Sequence, residues 1–253
     1  MLTEGMFIAE RYEIIGKIGA GGMSDVYKAK DHKLNRHVAV KVLKQEFSEN
    51  TNFVSKFRVE AQAAASLMHP NIVNVYDVGE DNGIYYIVME LVDGITLKKY
   101  IEKKARLSVR EALSIAIQAC MGIEAAHNNH IIHRDIKPSN ILITNDGTIT
   151  LIDFHISRIR SGFQERDTQV AGTVGYAPPE QFGLSATEPR ADIYALGVLF
   201  NQMLSGEHPS VRMCRGYPAH IVRKCTRTDV ESRYPSVVSL KRALLLWPAF
   251  LPR

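Results

Sequence analysis

The spacing of apolar residues changes near residue 92, and this change constrains the fold more than any other feature of the chain. Before it, β-branched and aromatic residues alternate over short runs, which predicts strands at 12–18, 25–29, 38–43, 72–78 and 84–91. One run with helical spacing, residues 53–67, ends before Pro70, because proline disfavours a helical residue ahead of it. Asn82 and Gly83 predict the tight turn of a hairpin.

After residue 92 the apolar period is that of helices. Ser108 and Glu111 form a capping-box pattern that opens a predicted helix to about residue 127, and further helices are predicted at 192–204 and 217–225. Short strands are predicted at 141–144 and 148–151. We therefore expect an α+β fold with two lobes, an antiparallel sheet with one helix over residues 8–91 and a mainly helical lobe over 92–253.

Charge and cysteine content limit the partners and the compartment. The 31 Lys and Arg residues against 27 Asp and Glu give a net charge of +4, too weak an excess for a dedicated nucleic-acid binder. The three cysteines form no CxxC pair, which favours a reducing compartment, so we expect a cytoplasmic chain. No apolar run approaches the ~18–20 residues of a membrane span. We expect no membrane span within this chain. The alternative to a purely cytoplasmic protein is that the chain is the intracellular domain of a longer membrane protein.

Two features of the first lobe suggest phosphate binding. Gly19–Gly22 lie between two strands, and glycines let backbone N–H groups approach phosphate oxygens, although an ordinary hairpin turn explains them equally well. Neither a P-loop nor a dinucleotide fingerprint fits, because no Gly-Lys-Ser/Thr follows and the next element is a strand. Lys41 follows an apolar strand, and Glu60 in the predicted helix could hold it, with solvated surface charges as the alternative.

The stretch 133–140 (His-Arg-Asp-Ile-Lys-Pro-Ser-Asn), followed by Leu-Ile-Asp-Phe at 151–154, carries the strongest chemical signal. Asp135, Lys137, Asn140 and Asp153 can converge on Mg²⁺ and phosphates. With these motifs the chain resembles the protein kinase superfamily from about Tyr12 to Arg233. The resemblance implies the two-lobed kinase fold, with ATP and Mg²⁺ as cofactors.

The resemblance also assigns roles to single residues. Asp135 accepts the proton of the substrate hydroxyl, Lys137 steadies the γ-phosphate, and Lys41 contacts the α- and β-phosphates while pairing with Glu60. Asn140 and Asp153 hold Mg²⁺. The residues it assigns to nucleotide binding, through the glycine-rich loop, the adenine pocket and the hinge, are Ile18, Gly19, Gly21, Val26, Ala39, Lys41, Met89, Glu90, Val92 and Leu142.

The substrate class follows from a later segment. Residues 172–180 (Gly-Thr-Val-Gly-Tyr-Ala-Pro-Pro-Glu) resemble the end of a kinase activation segment, the part that concerns the protein substrate, and Lys137 with Thr173 is the pattern of Ser/Thr kinases. Residues 19–29, 67–73 and 86–90 look most like bacterial Ser/Thr kinases, a group that includes receptors with PASTA repeats. Arg134 before Asp135 suits a phosphorylated residue, for which Thr168 and Ser161 are candidates for self-phosphorylation. The sequence leaves both a monomer and a homodimer as alternatives.

The chain departs from the kinase pattern at Asp153-Phe154-His155, where glycine normally follows Phe. A residue with a Cβ costs about 1–2 kcal/mol in a left-handed conformation, which would lower the active population about tenfold. We therefore expect an active or weakly active kinase, with a nucleotide-binding pseudokinase or signalling scaffold as the alternative. A small-molecule kinase is a third reading, although such enzymes lack the activation segment.

Further residues are expected to act as scaffold. Asp192 resembles the buried helix aspartate that ties down the catalytic loop of kinases, and Glu180 with Arg233 resembles their structural ion pair. His127, His130 and His133 have metal-like spacing, but His133 belongs to the loop motif, where its ring is expected to pack against Phe154. The helical insertion that kinases usually carry between residues 204 and 219 is expected to be short or absent.

Overall fold

The computed structural model of the chain describes residues 2–154, 175–182 and 188–247. The chain divides into two compact units. The first comprises Met1–Met68 with Val73–Asp93, and the second comprises His69–Ile72 with Gly94–Arg253. The division predicted from the sequence, as kinase lobes 8–91 and 92–253, stays a prediction.

The described residues of the first unit form one antiparallel sheet and two helices. The strands are β1 Phe7–Ile8, β2 Tyr12–Ala20, β3 Ser24–Asp31, β4 Arg36–Leu43, β5 Val75–Asp81 and β6 Ile84–Glu90, in the sheet order β1-β2-β3-β4-β6-β5. The helices are α1 Gln45–Ser48 and α2 Thr51–Ala65. The predicted Asn82-Gly83 turn is confirmed, because both residues have positive φ, 50° and 80°, between β5 and β6.

The two faces of this sheet carry separate apolar clusters. Because side chains alternate along a strand, residues of even and odd number on β4 face opposite ways. Val38, Val40 and Val42 pack on one face with Tyr27 and Ala29 of β3. Leu43 packs on the other face with α2, whose contacts include Phe57 and Ala61. The helix therefore lies against the face to which odd-numbered β4 residues belong.

The observed ends of several first-unit elements differ from the prediction, and two of these differences have a visible cause. Helix α2 begins at Thr51 rather than 53, because the side chain of Asn50 caps it by accepting from the Asn52 backbone N–H at 3.0 Å. Strand β5 begins at Val75 rather than 72. Ile72 instead forms an isolated parallel bridge to Leu151 and belongs to the second unit.

The described residues of the second unit form five helices and a small sheet. The helices are α3 Leu97–Lys104, α4 Val109–Asn128, α5 Arg190–Ser205, α6 Tyr217–Cys225 and α7 Val237–Leu246. Strands β7 Gly94–Thr96, β8 Ile141–Thr144 and β9 Ile149–Leu151 form an antiparallel sheet in that order. The predicted capping box of α4 is confirmed, since the Ser108 hydroxyl accepts from the Glu111 N–H and the Glu111 carboxylate accepts from the Ser108 N–H.

Helix α5 lies in the interior of the second unit, with eleven buried residues among its sixteen. No helix occurs between Ser205 and Tyr217, a stretch that lies wholly within the described residues, so the expected shortening of this region is confirmed. Within the described part of the chain, no helix is long and apolar enough to cross a membrane.

Candidate active site

In the first unit, Val26, Ala39 and Lys41 lie on the same face of the sheet. Lys41 pairs across the strands with Val26 of β3 and with Ile87 of β6. Ala39 pairs with Met89 of β6. This face is also the one against which α2 packs, and α2 carries Glu60. The structure thus places on one side of one sheet a lysine, two small apolar residues and the helix predicted to hold the lysine.

The glycine-rich loop, residues 19–24, comprises the end of β2, the turn at 21–23 and the first residue of β3. The N–H of Gly21 donates to the carbonyl oxygen of Ser24 at 2.8 Å. A Cβ at position 21 would lie 3.1 Å from that same oxygen, so the turn is tight and suits glycine. Nζ of Lys44 donates to the carbonyl oxygen of Gly22 at 2.9 Å. Ile18, which precedes the loop, is 54% exposed.

The predicted hinge residues Met89 and Glu90 end strand β6, and Val92 follows it. The Glu90 N–H donates to the carbonyl oxygen of Asn74 at 2.9 Å, and the Glu90 carboxylate accepts from the Asn74 amide at 2.7 Å. Asn74, in the segment that leads into β5, therefore fixes both the backbone and the side chain of Glu90.

In the second unit, the 133–140 loop brings three predicted residues together. Nζ of Lys137 lies 2.6 Å from Oδ2 of Asp135. The side-chain amide of Asn140 donates to that same oxygen at 2.8 Å and to the Asp135 carbonyl oxygen at 2.9 Å. Asp135 is only 5% exposed. A buried carboxylate that accepts from one ammonium and one amide has a fixed orientation.

Asp153 follows a residue whose backbone is bonded to Asn140. Strand β9 ends at Leu151, and the following N–H, that of Ile152, donates to the Asn140 carbonyl oxygen at 2.9 Å. Asp153 has a φ of +57°, a conformation that turns the chain directly after the strand. Because the Asn140 amide nitrogen is engaged by Asp135, its Oδ1 is the atom suited to a ligand. An amide oxygen and a carboxylate are both oxygen ligands, the type that Mg²⁺ prefers.

Asp192 of α5 anchors the 133–140 loop by hydrogen bonds to its backbone. Its side chain is fully buried, and its carboxylate accepts the backbone N–H of His133 at 2.9 Å and of Arg134 at 2.8 Å. Nε2 of His127 lies 2.8 Å from the same carboxylate. Burial alone would raise the pKa of Asp192, but the His127 hydrogen bond, nearby histidines and the Arg134 N–H together hold this pKa below its ordinary value. The scaffold role expected of Asp192 is confirmed.

Two other scaffold predictions are also confirmed. The rings of His133 and Phe154 lie 4.4 Å apart between centroids. The Arg233 guanidinium makes two hydrogen bonds to the Glu180 carboxylate, at 2.6 and 2.8 Å, and Arg233 is 2% exposed. Such a bidentate pair fixes the short 3₁₀ turn Pro179–Phe182 on the body of the second unit.

The remaining predicted site residue of the second unit is Leu142. It lies on β8, paired with Thr96 and Thr150. Ser161, Thr168, Thr173 and His155 lie outside the described residues.

The sequence analysis missed several polar anchors of the second unit. His127 bonds Asp192 across 65 residues of sequence. The Asn71 amide donates to the Ile149 carbonyl oxygen at 2.8 Å, which attaches the segment after α2 to β9. Asn201 of α5 is fully buried and bonds the chain on both sides of residue 210. Only the motif His-Pro-Asn at 69–71 offered a local signal for any of them.

Comparison with known proteins decides the family. Residues 12–241 match the family model described as protein kinase domain. The chain belongs to the protein kinase domain family. This confirms the predicted resemblance, and the family uses ATP and a divalent metal ion. The antiparallel sheet of the first unit and the helices of the second agree with the predicted α+β kinase fold.

Named relatives are bacterial. The chain is 47% identical over 206 residues to serine/threonine-protein kinase PrkC of Bacillus subtilis, covering 81% of this chain and 32% of PrkC. It is 39% identical over 215 residues to serine/threonine-protein kinase PknB of Mycobacterium tuberculosis, covering 82% of this chain and 34% of PknB. The matched region thus spans about a third of the length of these relatives.

A solved structure extends the likeness over nearly the whole chain. The PknI kinase domain of Mycobacterium tuberculosis, as its C20A mutant, superimposes with a TM-score of 0.78 at 27% identity. The match covers 97% of this chain and 98% of that one.

Proposed function

We propose that this chain is a catalytic domain that transfers the γ-phosphoryl group of ATP to Ser or Thr hydroxyls of proteins. The observation that carries the proposal is the Asp135 carboxylate, held by Lys137 at 2.6 Å and by Asn140 at 2.8 Å within the loop motif of the family. The names of PrkC and PknB, both serine/threonine-protein kinases, support the choice of hydroxyl.

In this proposal Asp135 is the proton acceptor. As the oxygen of the substrate hydroxyl bonds to the γ-phosphorus, its proton passes to the Asp135 carboxylate, the bond from the γ-phosphorus to the β,γ-bridging oxygen breaks, and ADP leaves. The Asn140 amide fixes the orientation of the Asp135 carboxylate, so that one of its oxygens can face the substrate hydroxyl. This orientation raises the rate, because phosphoryl transfer depends mainly on how the reacting groups are positioned. Lys137, already beside Asp135, can share its ammonium with the transferred phosphoryl group.

Asn140 and Asp153 are proposed to hold Mg²⁺, which would neutralise the charge that develops on the phosphates. The support is the donor set of these residues, an amide oxygen and a carboxylate, and the hydrogen bond that joins Ile152 to Asn140. Asp153 thereby follows directly after a backbone position that is fixed to residue 140.

The first unit is proposed to bind the nucleotide. Lys41 would contact the α- and β-phosphates with Glu60 as its partner, and the glycine-rich loop would present backbone N–H groups to phosphate oxygens. The support is the shared face of Val26, Ala39 and Lys41 and the packing of α2 against that face. The full set proposed to contact the nucleotide is Ile18, Gly19, Gly21, Val26, Ala39, Lys41, Met89, Glu90, Val92 and Leu142.

The partners remain proposals as well. We propose protein substrates that carry Ser or Thr, and self-phosphorylation at Thr168 or Ser161. For the assembly, a homodimer is the alternative to a monomer. A cytoplasmic location is proposed from the cysteine content. The alternative function, a nucleotide-binding pseudokinase or scaffold, is motivated by His155, whereas the fully assembled Asp135, Lys137 and Asn140 arrangement favours catalysis.

Phosphate transfer from γ-labelled ATP decides between these functions. We expect wild type to label a protein substrate and Asp135→Asn to lose transfer by about 10²–10⁴, the usual contribution of a general base. Asp229→Asn, an exposed carboxylate on the same unit, is the matched control and should transfer like wild type. Silence of wild type and Asp135→Asn alike, with ATP-Mg²⁺ still raising the thermal midpoint of both, would establish the scaffold and overturn the proposal.

A further inference from the structure

The segment that begins at Gly175 is attached to α5 and to the loop after it. Nε2 of His208 lies 2.6 Å from the Gly175 carbonyl oxygen. The Tyr176 hydroxyl donates to the side-chain oxygen of Gln202 on α5. Gly175 has a φ of +97°, a backbone conformation that residues with a side chain rarely adopt. The orientation of its carbonyl group depends on this conformation. This segment resembles the part of the kinase activation segment that concerns the protein substrate.

The hydrogen bonds of His208 fix its tautomer. The backbone N–H of Ser210 points to Nδ1 at 3.2 Å, and the Ser210 hydroxyl lies 2.6 Å from the same nitrogen. Because a backbone N–H only donates, Nδ1 is an acceptor. The ring proton of the neutral imidazole is therefore on Nε2, where it is donated to Gly175.

The loop that carries His208 is itself rigidly attached. The Asn201 side chain, fully buried on α5, donates to the carbonyl oxygens of Glu207 at 2.9 Å and of Arg212 at 2.8 Å. Its amide oxygen accepts from the Cys214 N–H at 2.8 Å. These bonds enclose His208 on both sides along the chain. A fixed ring on a fixed loop can hold the Gly175 carbonyl oxygen in one place.

We propose that His208 is a positioning residue for the protein substrate. It holds the Gly175 carbonyl oxygen through Nε2–H and so sets the path of Tyr176 and Ala177, the residues that follow in the substrate-facing segment. The inference rests on the proposed function and deepens it, since it assigns peptide recognition rather than chemistry to this histidine. His208 acts through Gly175 and has no part in the reacting groups.

The test separates peptide binding from ATP binding. The probe is a Thr-containing peptide selected with the wild-type chain from a positional-scanning library. We expect His208→Ala to raise the KM of this peptide roughly 3–10-fold, the worth of one hydrogen bond, with kcat and the KM of ATP unchanged. His208→Gln keeps an N–H donor of similar reach and should restore a KM near that of wild type. His220→Ala, an exposed histidine on α6, is the control.

Two measurements do not depend on catalysis. Amide hydrogen exchange of Gly175–Phe182 should quicken in His208→Ala and not in His220→Ala, and ¹⁵N chemical shifts should show the Nε2–H tautomer of His208 in wild type. The inference is overturned by an unchanged peptide KM, by unchanged exchange in this segment, or by equal rises in both KM values with a lowered thermal midpoint. A wild-type chain that transfers no phosphate overturns the proposed function together with this inference, whereas an active wild type matched by His208→Ala overturns the inference alone.

Discussion

The 133–140 loop and the glycine-rich loop expose a contrast in how a chain fixes irregular backbone. In the former, buried side chains provide the partners: Asp192 accepts two backbone N–H groups and Asn140 donates twice to Asp135. In the latter, the partners are mostly backbone atoms at the surface, with the Lys44 ammonium as one side-chain donor. Buried polar networks are strong because any unmade bond costs the desolvation of its group, whereas exposed groups turn to water.

The contrast teaches which property each loop controls. A loop fixed from the interior is part of the stability of its unit, so damage to it should appear in unfolding experiments. A loop fixed at the surface contributes little to stability, and its changes should appear in ligand binding. The following predictions test this division.

The largest effect is expected for Asp192→Asn. The substitution keeps the side-chain volume but replaces one acceptor oxygen by an NH₂ group, which leaves a buried N–H of the 133–140 loop facing another donor. We expect a loss of about 3 kcal/mol in the free energy of unfolding, measured by urea denaturation with far-UV circular dichroism. Glu102→Gln on α3, where the carboxylate is exposed and has only a 4.0 Å pair with Lys98, should change it by less than about 0.5 kcal/mol. Equal midpoints for both variants would remove the contrast between the loops.

This anchor was only partly visible in the sequence. Asp192 could be predicted because its motif position resembles that of a known family, but its bond to His127 joins residues 65 apart and leaves no local pattern. Helix α6 was predicted with its observed ends, since Pro218 and the apolar spacing mark it. Helix α3 was missed because only Leu97 and Ile101 are buried among its lysines, so its periodic signal is weak.

The next effect concerns pH. The pKa of Asp192 in the folded chain is lowered from its ordinary value of 3.8, so its ionised form stabilises the fold. That stability is fully present above the ordinary carboxyl pKa and is lost as the pH falls through the lower folded value. We expect the gap in urea midpoint between wild type and Asp192→Asn to be wide at pH 7 and to narrow below about pH 4. A gap that stays constant down to pH 2.5 would show that this carboxylate does not titrate with unfolding.

A smaller effect is expected in the glycine-rich loop for Gly21→Ala. The new Cβ would lie 3.1 Å from the Ser24 carbonyl oxygen, so the turn must shift by a few tenths of an ångström. We expect ATP-Mg²⁺ affinity, measured by isothermal titration calorimetry, to fall about fivefold, with the urea midpoint unchanged. Gly22→Ala is the matched control, because a Cβ there meets nothing within 4 Å. A loss of stability in Gly21→Ala would place this loop with the 133–140 loop instead.

The smallest effect is expected for Lys44→Ala, which removes the ammonium that donates to the Gly22 carbonyl oxygen at 2.9 Å. The bond is exposed, so water replaces much of it, and ATP-Mg²⁺ affinity should fall only about two- to threefold. Amide exchange over residues 19–24 should quicken, because the loop loses its side-chain donor. The increase should be small, since the backbone bond from the Lys44 N–H to the Met23 carbonyl oxygen remains. Lys44→Arg keeps a donor and should exchange like wild type, as should Lys103→Ala, an exposed lysine on α3. Unchanged exchange in Lys44→Ala would mean that backbone bonds alone fix the glycine-rich loop, with no contribution from the Lys44 side chain.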